Sequence, residues 1–517
     1  MRSLKALAGI GIGLIATTGG MAATLQPVAI DAGALPLVRE IDERFMSFQI
    51  GFSHLTGGET WKAYDEMPSA DTGKRDFAAI REARVPTDLA SPRLRTLTKA
   101  LGPLYIRYSG TTANSVYFHD SDAPPPASAP AGYTVLLTRK AWKGAIDFAH
   151  AVDAKVLTSF TNSEGVRDVS HAWTPRMAAS WMAYTRAIGG ELYAAELFNE
   201  PNAPEPPRIP KGHTAEEYAR DFAAFRGFMS QAAPRTKLAG PGTAKMGVGG
   251  IPSIEWVTSE DYATASPAPK FDIVSYHYYP ALAERCAPAS SVQGMSADRA
   301  LSDDWLARPE KEFQAQKALR DRHAPGAKIW LTETGGAACG GLRWQPAFLD
   351  VFRFADTHAR LARQGLDAMF THALISGSNG VIDEKTFEPN ASYWSALLWR
   401  RLMGTRVLDA GPNQAGFHLY AHCQRGVPSG VTLLAINLEA ATRTLRIGRG
   451  ADLYALTAPD LLGRAVQLNG KTLALAVGDA LPAIEPKRAR GSEVTLAPTS
   501  INFIAMPRAN NPACRVN

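Results

Sequence analysis

Eight short runs of apolar and β-branched residues recur along the chain with helix-like stretches between them, and no other feature constrains the fold as strongly. The runs are residues 47–52, 104–109, 155–162, 193–199, 237–240, 273–279, 328–332 and 368–374. Residues 141–152, 175–188, 215–232 and 347–364 carry apolar side chains three and four apart, the period of an amphipathic helix. Eight strand–helix repeats predict an α/β protein built on a (β/α)8 TIM barrel, assigned to residues 46–402. After Leu402 the pattern changes to alternating strands at 431–438, 442–447, 453–456, 473–477 and 500–506, with the turn signal Asn469-Gly470 among them. Residues 403–517 are therefore read as an appended C-terminal β-sandwich, joined by a strand-like N-terminal segment, 24–45.

A chain of 517 residues has room for one large domain and a second of about 100 residues. Its 45% hydrophobic and 20% charged residues are those of a globular enzyme, and the Pro-rich stretch 123–130 reads as a surface loop. The formal charge of +6 comes with no Lys/Arg block and no basic stripe interleaved with aromatics, which argues against a nucleic-acid partner while leaving a polyanion open. Arg2 and Lys5 precede an apolar run at 6–16 and the small residues Met21-Ala22-Ala23, so residues 1–23 read as a signal peptide. The run is shorter than the roughly 20 apolar residues that span a bilayer, so a secreted or periplasmic protein without stable membrane insertion is expected, as a monomer.

In an oxidising compartment the four cysteines, Cys286, Cys339, Cys423 and Cys514, allow three pairings. Cys286 and Cys339 follow candidate barrel strands while Cys423 and Cys514 lie in the β-rich region, and pairing within each region is expected. No CxxC or HExxH spacing occurs, so no metal site is expected, and His418 and His422 read as structural.

Reactive groups of such a barrel sit at the C-terminal ends of its strands. Leu197-Phe198-Asn199-Glu200-Pro201-Asn202 closes the fourth run, and Trp330-Leu331-Thr332-Glu333-Thr334-Gly335-Gly336 closes the seventh. Side chains rising from strands 4 and 7 can converge on one sugar, and retaining glycoside hydrolysis needs two carboxyl groups about 5 to 5.5 Å apart, one protonated and one ionised. Glu200 is read as the acid/base and Glu333 as the nucleophile. His277, Tyr278 and Tyr279 are candidate donors to Glu333, and Asn199 is placed for a sugar 2-hydroxyl. This chemistry needs no cofactor.

At these residues the chain resembles the clan of retaining glycosidases whose acid/base follows an Asn on strand 4, and within it glycoside hydrolase family 79, the heparanases and β-glucuronidases. Ser91-Pro92-Arg93-Leu94-Arg95-Thr96-Leu97 leading into Tyr105-Ile106-Arg107-Tyr108-Ser109-Gly110-Thr111 is similar to the heparanase branch. So are Tyr276-His277-Tyr278-Tyr279, Tyr393-Trp394, Leu402-Met403-Gly404-Thr405, Leu468-Asn469-Gly470 and Leu481-Pro482, so the resemblance covers nearly the whole mature chain. It implies endo-β-glucuronidase action on heparan sulfate or heparin, with Glu200 as proton donor, Glu333 as nucleophile and Asn199, His277 and Tyr278 around them. It further implies that Thr111 and the Gly340-Gly341 backbone contact the glucuronate, since backbone N–H groups suit a carboxylate. The chain departs from the family in three places. The long excised linker of the animal enzymes has no counterpart, the Gly-rich loop after Glu333 differs, and the family's tyrosine near the glucuronate has no match in residues 376–380.

Three other readings stand beside this one: an exo-acting β-glucuronidase of the same family with one end of the cleft blocked, a non-catalytic glycan-binding protein on the same fold, and an enzyme for a neutral plant glycan. A uronate site wants donors or a cation, for which Arg107, Arg167 and Arg343 are candidates beside their alternative as internal salt bridges.

Overall fold

The computed structural model describes residues 27–67, 79–203, 210, 212–246, 257–287, 291, 294–448 and 450–515. The leader expected at 1–23 lies outside them. Eight parallel strands close a barrel in chain order. They are Met46–Gly51, Leu104–Ser109, Ala154–Ser159, Leu192–Glu196, Lys237–Met246, Ile273–Tyr279, Lys328–Thr334 and Ala368–His372, called barrel strands 1 to 8 below. The (β/α)8 barrel read from the hydrophobic period is thus the observed architecture.

Large and small residues alternate inside the barrel. Tyr105, Trp330 and Phe370 pack there against Ala194, Ala239 and Ala368 in a cluster of their own, while Leu331, Ile329 and Tyr276 face the helix layer. Filling a barrel interior this way closes its lower end and leaves the reactive residues to the strand tops.

The β-sandwich is also present, and its larger sheet recruits the chain's beginning. Leu37–Glu40 pairs antiparallel with Met403–Leu408, and Phe417–Gln424, Val431–Asn437, Ser500–Met506 and Ala451–Thr457 follow across the sheet. Val28–Ala29, Arg443–Arg446 and Glu493–Leu496 form the facing sheet. One expected strand is corrected. Residues 473–477 form no strand, because Leu473 and Leu475 turn onto the main core rather than pairing, and the left-handed Gly478 and Asp479 end the segment.

Helix Phe348–Gln364 docks the sandwich onto the barrel through Asp356. Its Oδ1 accepts from the hydroxyl of Tyr420 at 2.6 Å and pairs with Nδ1 of His418 at 2.6 Å, and its Oδ2 accepts from Nε of Arg360 at 2.9 Å. His422 pairs through Nδ1 with the carbonyl of Gly404 at 2.7 Å. Cys286 is bonded to Cys339, across the loops after barrel strands 6 and 7, and Cys423 to Cys514 within the sandwich. Among the described residues no helix is long and apolar enough to cross a membrane.

Candidate active site

Glu333 reaches the barrel interior through a break in pairing. Trp330 lies beside Ser275 and Leu331 beside Tyr276, but the next partner of His277 is Glu333, so Thr332 is passed over. An extra residue of this kind reverses the alternation of side chains. Without it Glu333 would follow Leu331 and Ile329 to the outer face.

Glu200 lies beyond the end of barrel strand 4 and is held between two asparagines. The side chain of Asn114 accepts from the backbone N–H of Asn199 at 2.8 Å and donates to its carbonyl at 2.8 Å. That of Asn202 accepts from the N–H of Ala244 at 2.8 Å and donates to its carbonyl at 2.9 Å. Between these clamps Glu200 adopts φ +47°, a left-handed conformation that side-chain-bearing residues avoid unless their surroundings impose it.

One guanidinium organises the floor of the site. Arg107, fully buried on barrel strand 2, donates to Oε2 of Glu333 at 2.9 Å, to Oε2 of Glu196 at 2.8 Å, to the side-chain oxygen of Gln49 at 2.6 Å and to that of Asn199 at 2.9 Å. Burial works against its charge, but the two carboxylates outweigh it and raise its pKa. Oε1 of Glu333 accepts from the hydroxyl of Tyr279 at 2.6 Å, and that hydroxyl is also 2.7 Å from Nδ1 of His372. Burial raises the Glu333 carboxyl, yet His372, His277 and Arg107 together hold it well below the usual carboxylate range, so it is ionised. Tyr279, raised by its own burial and by Glu333, remains a protonated donor.

Nδ1 of His277 is 2.9 Å from Oε1 of Glu200 and 3.9 Å from Oε2 of Glu333. One atom each from Glu200, His277 and Glu333 lie within 4.8 Å of one another. That spacing would admit a cation, but Arg107 and Tyr279 already engage both oxygens of Glu333, and a fixed positive charge on that carboxylate disfavours a metal.

Several sequence expectations meet a different geometry. Of the candidate donors to Glu333, Tyr279 does donate, whereas Tyr278 points out of the barrel toward Glu312 and Arg308, because neighbours on a strand face opposite ways. Gly340 and Gly341, expected at the glucuronate, do not line the pocket beside Glu333. A Cβ on Gly340 would lie 2.6 Å from the indole of Trp61, and the carbonyl of Gly341 accepts from the hydroxyl of Tyr64 at 2.9 Å. Thr111 does line that pocket, with His54, Trp61, Arg84, His372 and Asn379. Arg167 is spent on Asp221 and Asn162, and the exposed Arg343 on Glu284 and the Tyr64 ring. Asn114, Glu196 and Gln49 were not singled out from sequence, where single polar residues at strand ends carry no distinguishing period.

No family model matches the chain. Among curated proteins it is 27% identical over 485 residues to heparanase-like protein 1 of Arabidopsis thaliana, covering 83% of this chain and 86% of that protein. It is 26% identical over 503 residues to mouse heparanase, covering 85% and 90%. The chain is a glycoside hydrolase similar over most of its length to heparanases. A shorter match, 26% identity over 276 residues covering 50% of this enzyme, is to baicalin-β-D-glucuronidase of Scutellaria baicalensis. The enzyme's fold is shared with a 4-O-α-L-rhamnosyl-β-D-glucuronidase of Fusarium oxysporum at TM-score 0.60 and 15% identity, covering 93% of this chain and 100% of the other. It is shared likewise with an α-L-arabinofuranosidase of Thermotoga maritima at TM-score 0.59 and 14% identity, covering 93% and 99%.

Proposed function

We propose that the enzyme is a retaining endo-β-D-glucuronidase that cleaves glucuronic acid linkages in heparan sulfate, with Glu200 as acid/base and Glu333 as nucleophile. The observation that carries the mechanism is the spacing of the two carboxylates, with oxygens within 4.8 Å. Retaining enzymes hold the pair about 5 to 5.5 Å apart, whereas inverting enzymes need roughly 6.5 to 9.5 Å to admit a water. The heparanases among its relatives support the substrate.

In the first step an oxygen of Glu333 bonds to the anomeric carbon while Glu200 gives its proton to the departing glycosidic oxygen, and the C–O bond breaks. In the second, Glu200 takes a proton from water, the water oxygen bonds to the anomeric carbon, and the ester to Glu333 breaks with the β-configuration restored. Arg107 and Tyr279 keep Glu333 ionised and oriented for the first step. Two disulfides suit an oxidising compartment, which supports a secreted or periplasmic enzyme.

A second reading, exo action, is favoured by one feature. The hairpin of Gly58–Trp61 and Arg81–Arg84 is fastened over the barrel mouth: Trp61 lies on Gly340, Arg285 donates to the carbonyl of Lys62 at 2.7 Å, and Arg84 pairs with Glu384. Such a strap walls the pocket away from Glu200. Incubation with heparan sulfate, with Glu333→Gln as control, separates the readings by product size. A fast fall in chain length establishes endo action, release of monosaccharide alone establishes exo action, and no product removes heparan sulfate as the substrate.

A further inference from the structure

We propose that Arg84, oriented by His54 and balanced by Glu384, reads the carboxylate of the sugar that bonds to Glu333, and that this guanidinium rather than the Gly340-Gly341 backbone selects a uronate. The inference rests on the β-glucuronidase reading above and deepens it.

The first step is to decide which sugar enters the pocket. Glu200 protonates the departing oxygen, so the leaving part of the substrate lies on the side of barrel strand 4. The pocket beside Glu333 is walled from the opposite side, by residues following barrel strands 1, 2 and 8 and by the strapped hairpin. His372, 3.4 Å from Oε1 of Glu333, stands where the pocket meets the nucleophile. The sugar attacked by Glu333 therefore directs its ring substituents into this pocket.

The second step concerns what the pocket offers. The indole of Trp61 covers Gly340, and Gly341 packs on Asn379, where an added Cβ would lie 2.7 Å from the Asn379 side chain. The glycine pair is thus under the pocket wall. Arg84 and Trp61 are in its place, with Arg81 stacked 4.4 Å over the Trp61 ring.

Arg84 is built in rather than loose. Its Nη1 is 2.9 Å from Nε2 of His54 and 3.2 Å from Oγ of Ser53, its Nη2 donates to Glu384, and its side chain is 11% exposed. A guanidinium can only donate, so Nε2 of His54 is the acceptor and Nδ1 carries the proton toward Thr87 Oγ1 at 2.8 Å. Burial first, and Arg84 second, hold the His54 pKa well below the ordinary histidine value, in keeping with a neutral ring that orients the fork. A half-enclosed guanidinium with fixed neighbours is the donor that best discriminates a carboxylate from a hydroxymethyl group. Glu384 competes for the same charge, which makes its removal informative.

The test compares kcat/KM of the full chain on 4-nitrophenyl β-D-glucuronide and β-D-glucoside. Arg84→Gln is expected to lower the glucuronide-to-glucoside ratio by roughly 10-fold or more, the loss of one charge-assisted contact. Glu384→Gln is expected to raise the ratio, and Arg84→Lys to fall between wild type and Arg84→Gln. A ratio in folded Arg84→Gln within about twofold of wild type overturns the proposal. Should Arg84→Gln fail to fold, an unchanged or lowered ratio in Glu384→Gln overturns it instead. Wild-type enzyme that prefers the glucoside ends the β-glucuronidase reading itself. Wild-type preference for the glucuronide with unmoved ratios in the variants removes only the assignment to Arg84.

Discussion

Nδ1 of His277 lies 2.9 Å from Oε1 of Glu200 and 3.9 Å from Oε2 of Glu333, so a single buried imidazole stands between both carboxylates. A proton added to or removed from Glu200 is therefore felt at Glu333, as the proposed alternation of acid and base roles requires. Glu200→Gln keeps a partner for His277 but has no proton to transfer, and kcat on heparan sulfate should fall by about 10²- to 10⁴-fold. Glu333→Gly should be inactive and recover with azide, giving a glycosyl azide of inverted configuration. Undiminished turnover by Glu200→Gln, or a rescued product of retained configuration, would refute the assignment.

On the proposed mechanism the acid limb of kcat/KM reports Glu333. Its carboxyl is depressed by His372, His277 and Arg107 against the opposing effect of burial. A depressed folded-state pKa stabilises the protein above the unfolded carboxylate value, and that contribution is lost as pH falls through the folded one. Tyr279→Phe removes a donor to Oε1, so the acid limb should move to higher pH. A pH–rate profile with an unmoved limb would show that the hydroxyl does not tune the nucleophile.

Arg107 neutralises two buried carboxylates, Glu196 and Glu333. Arg107→Met should cost about 3–5 kcal/mol of stability, because both acids lose their partner in a dry site. Urea unfolding measures this, and a loss below about 1 kcal/mol would mean that water or protonation replaces the guanidinium.

His418 joins the sandwich to the barrel and should make that union pH-dependent. Burial opposes its charge, but Asp356 and Asp303 raise its pKa above the ordinary value. A raised pKa gives stability that is full below the unfolded histidine value and is lost as pH rises through the folded one. His418→Gln should therefore lower Tm more near pH 6 than near pH 9, and an equal drop at both would assign His418 to packing alone.

The bond between Cys423 and Cys514 closes a stretch of 91 residues. Replacing both with alanine should remove roughly 4 kcal/mol if the bond acts on the unfolded chain. A thermal melt of the variant beside wild type decides it.

The hydrophobic period was enough to set out eight barrel strands, the sandwich and the two glutamates, because each depends on the spacing of neighbours along one segment. Residues 473–477 show where that logic stops: their alternation reflects packing on another layer rather than pairing. The same period, run on from His277, places Tyr279 on its face and Tyr278 on the other, so the donor to Glu333 was within reach of the sequence. The inward turn of Glu333 was not, since it depends on the skipped Thr332, a property of two strands in register. Only the tertiary structure decided that Arg107 donates to Glu333, that Asn114 clamps Asn199, and that Trp61 covers Gly340 while Arg84 lines the pocket. Contacts between residues hundreds of positions apart depend on how the loops cross the barrel mouth, and no local period encodes that path.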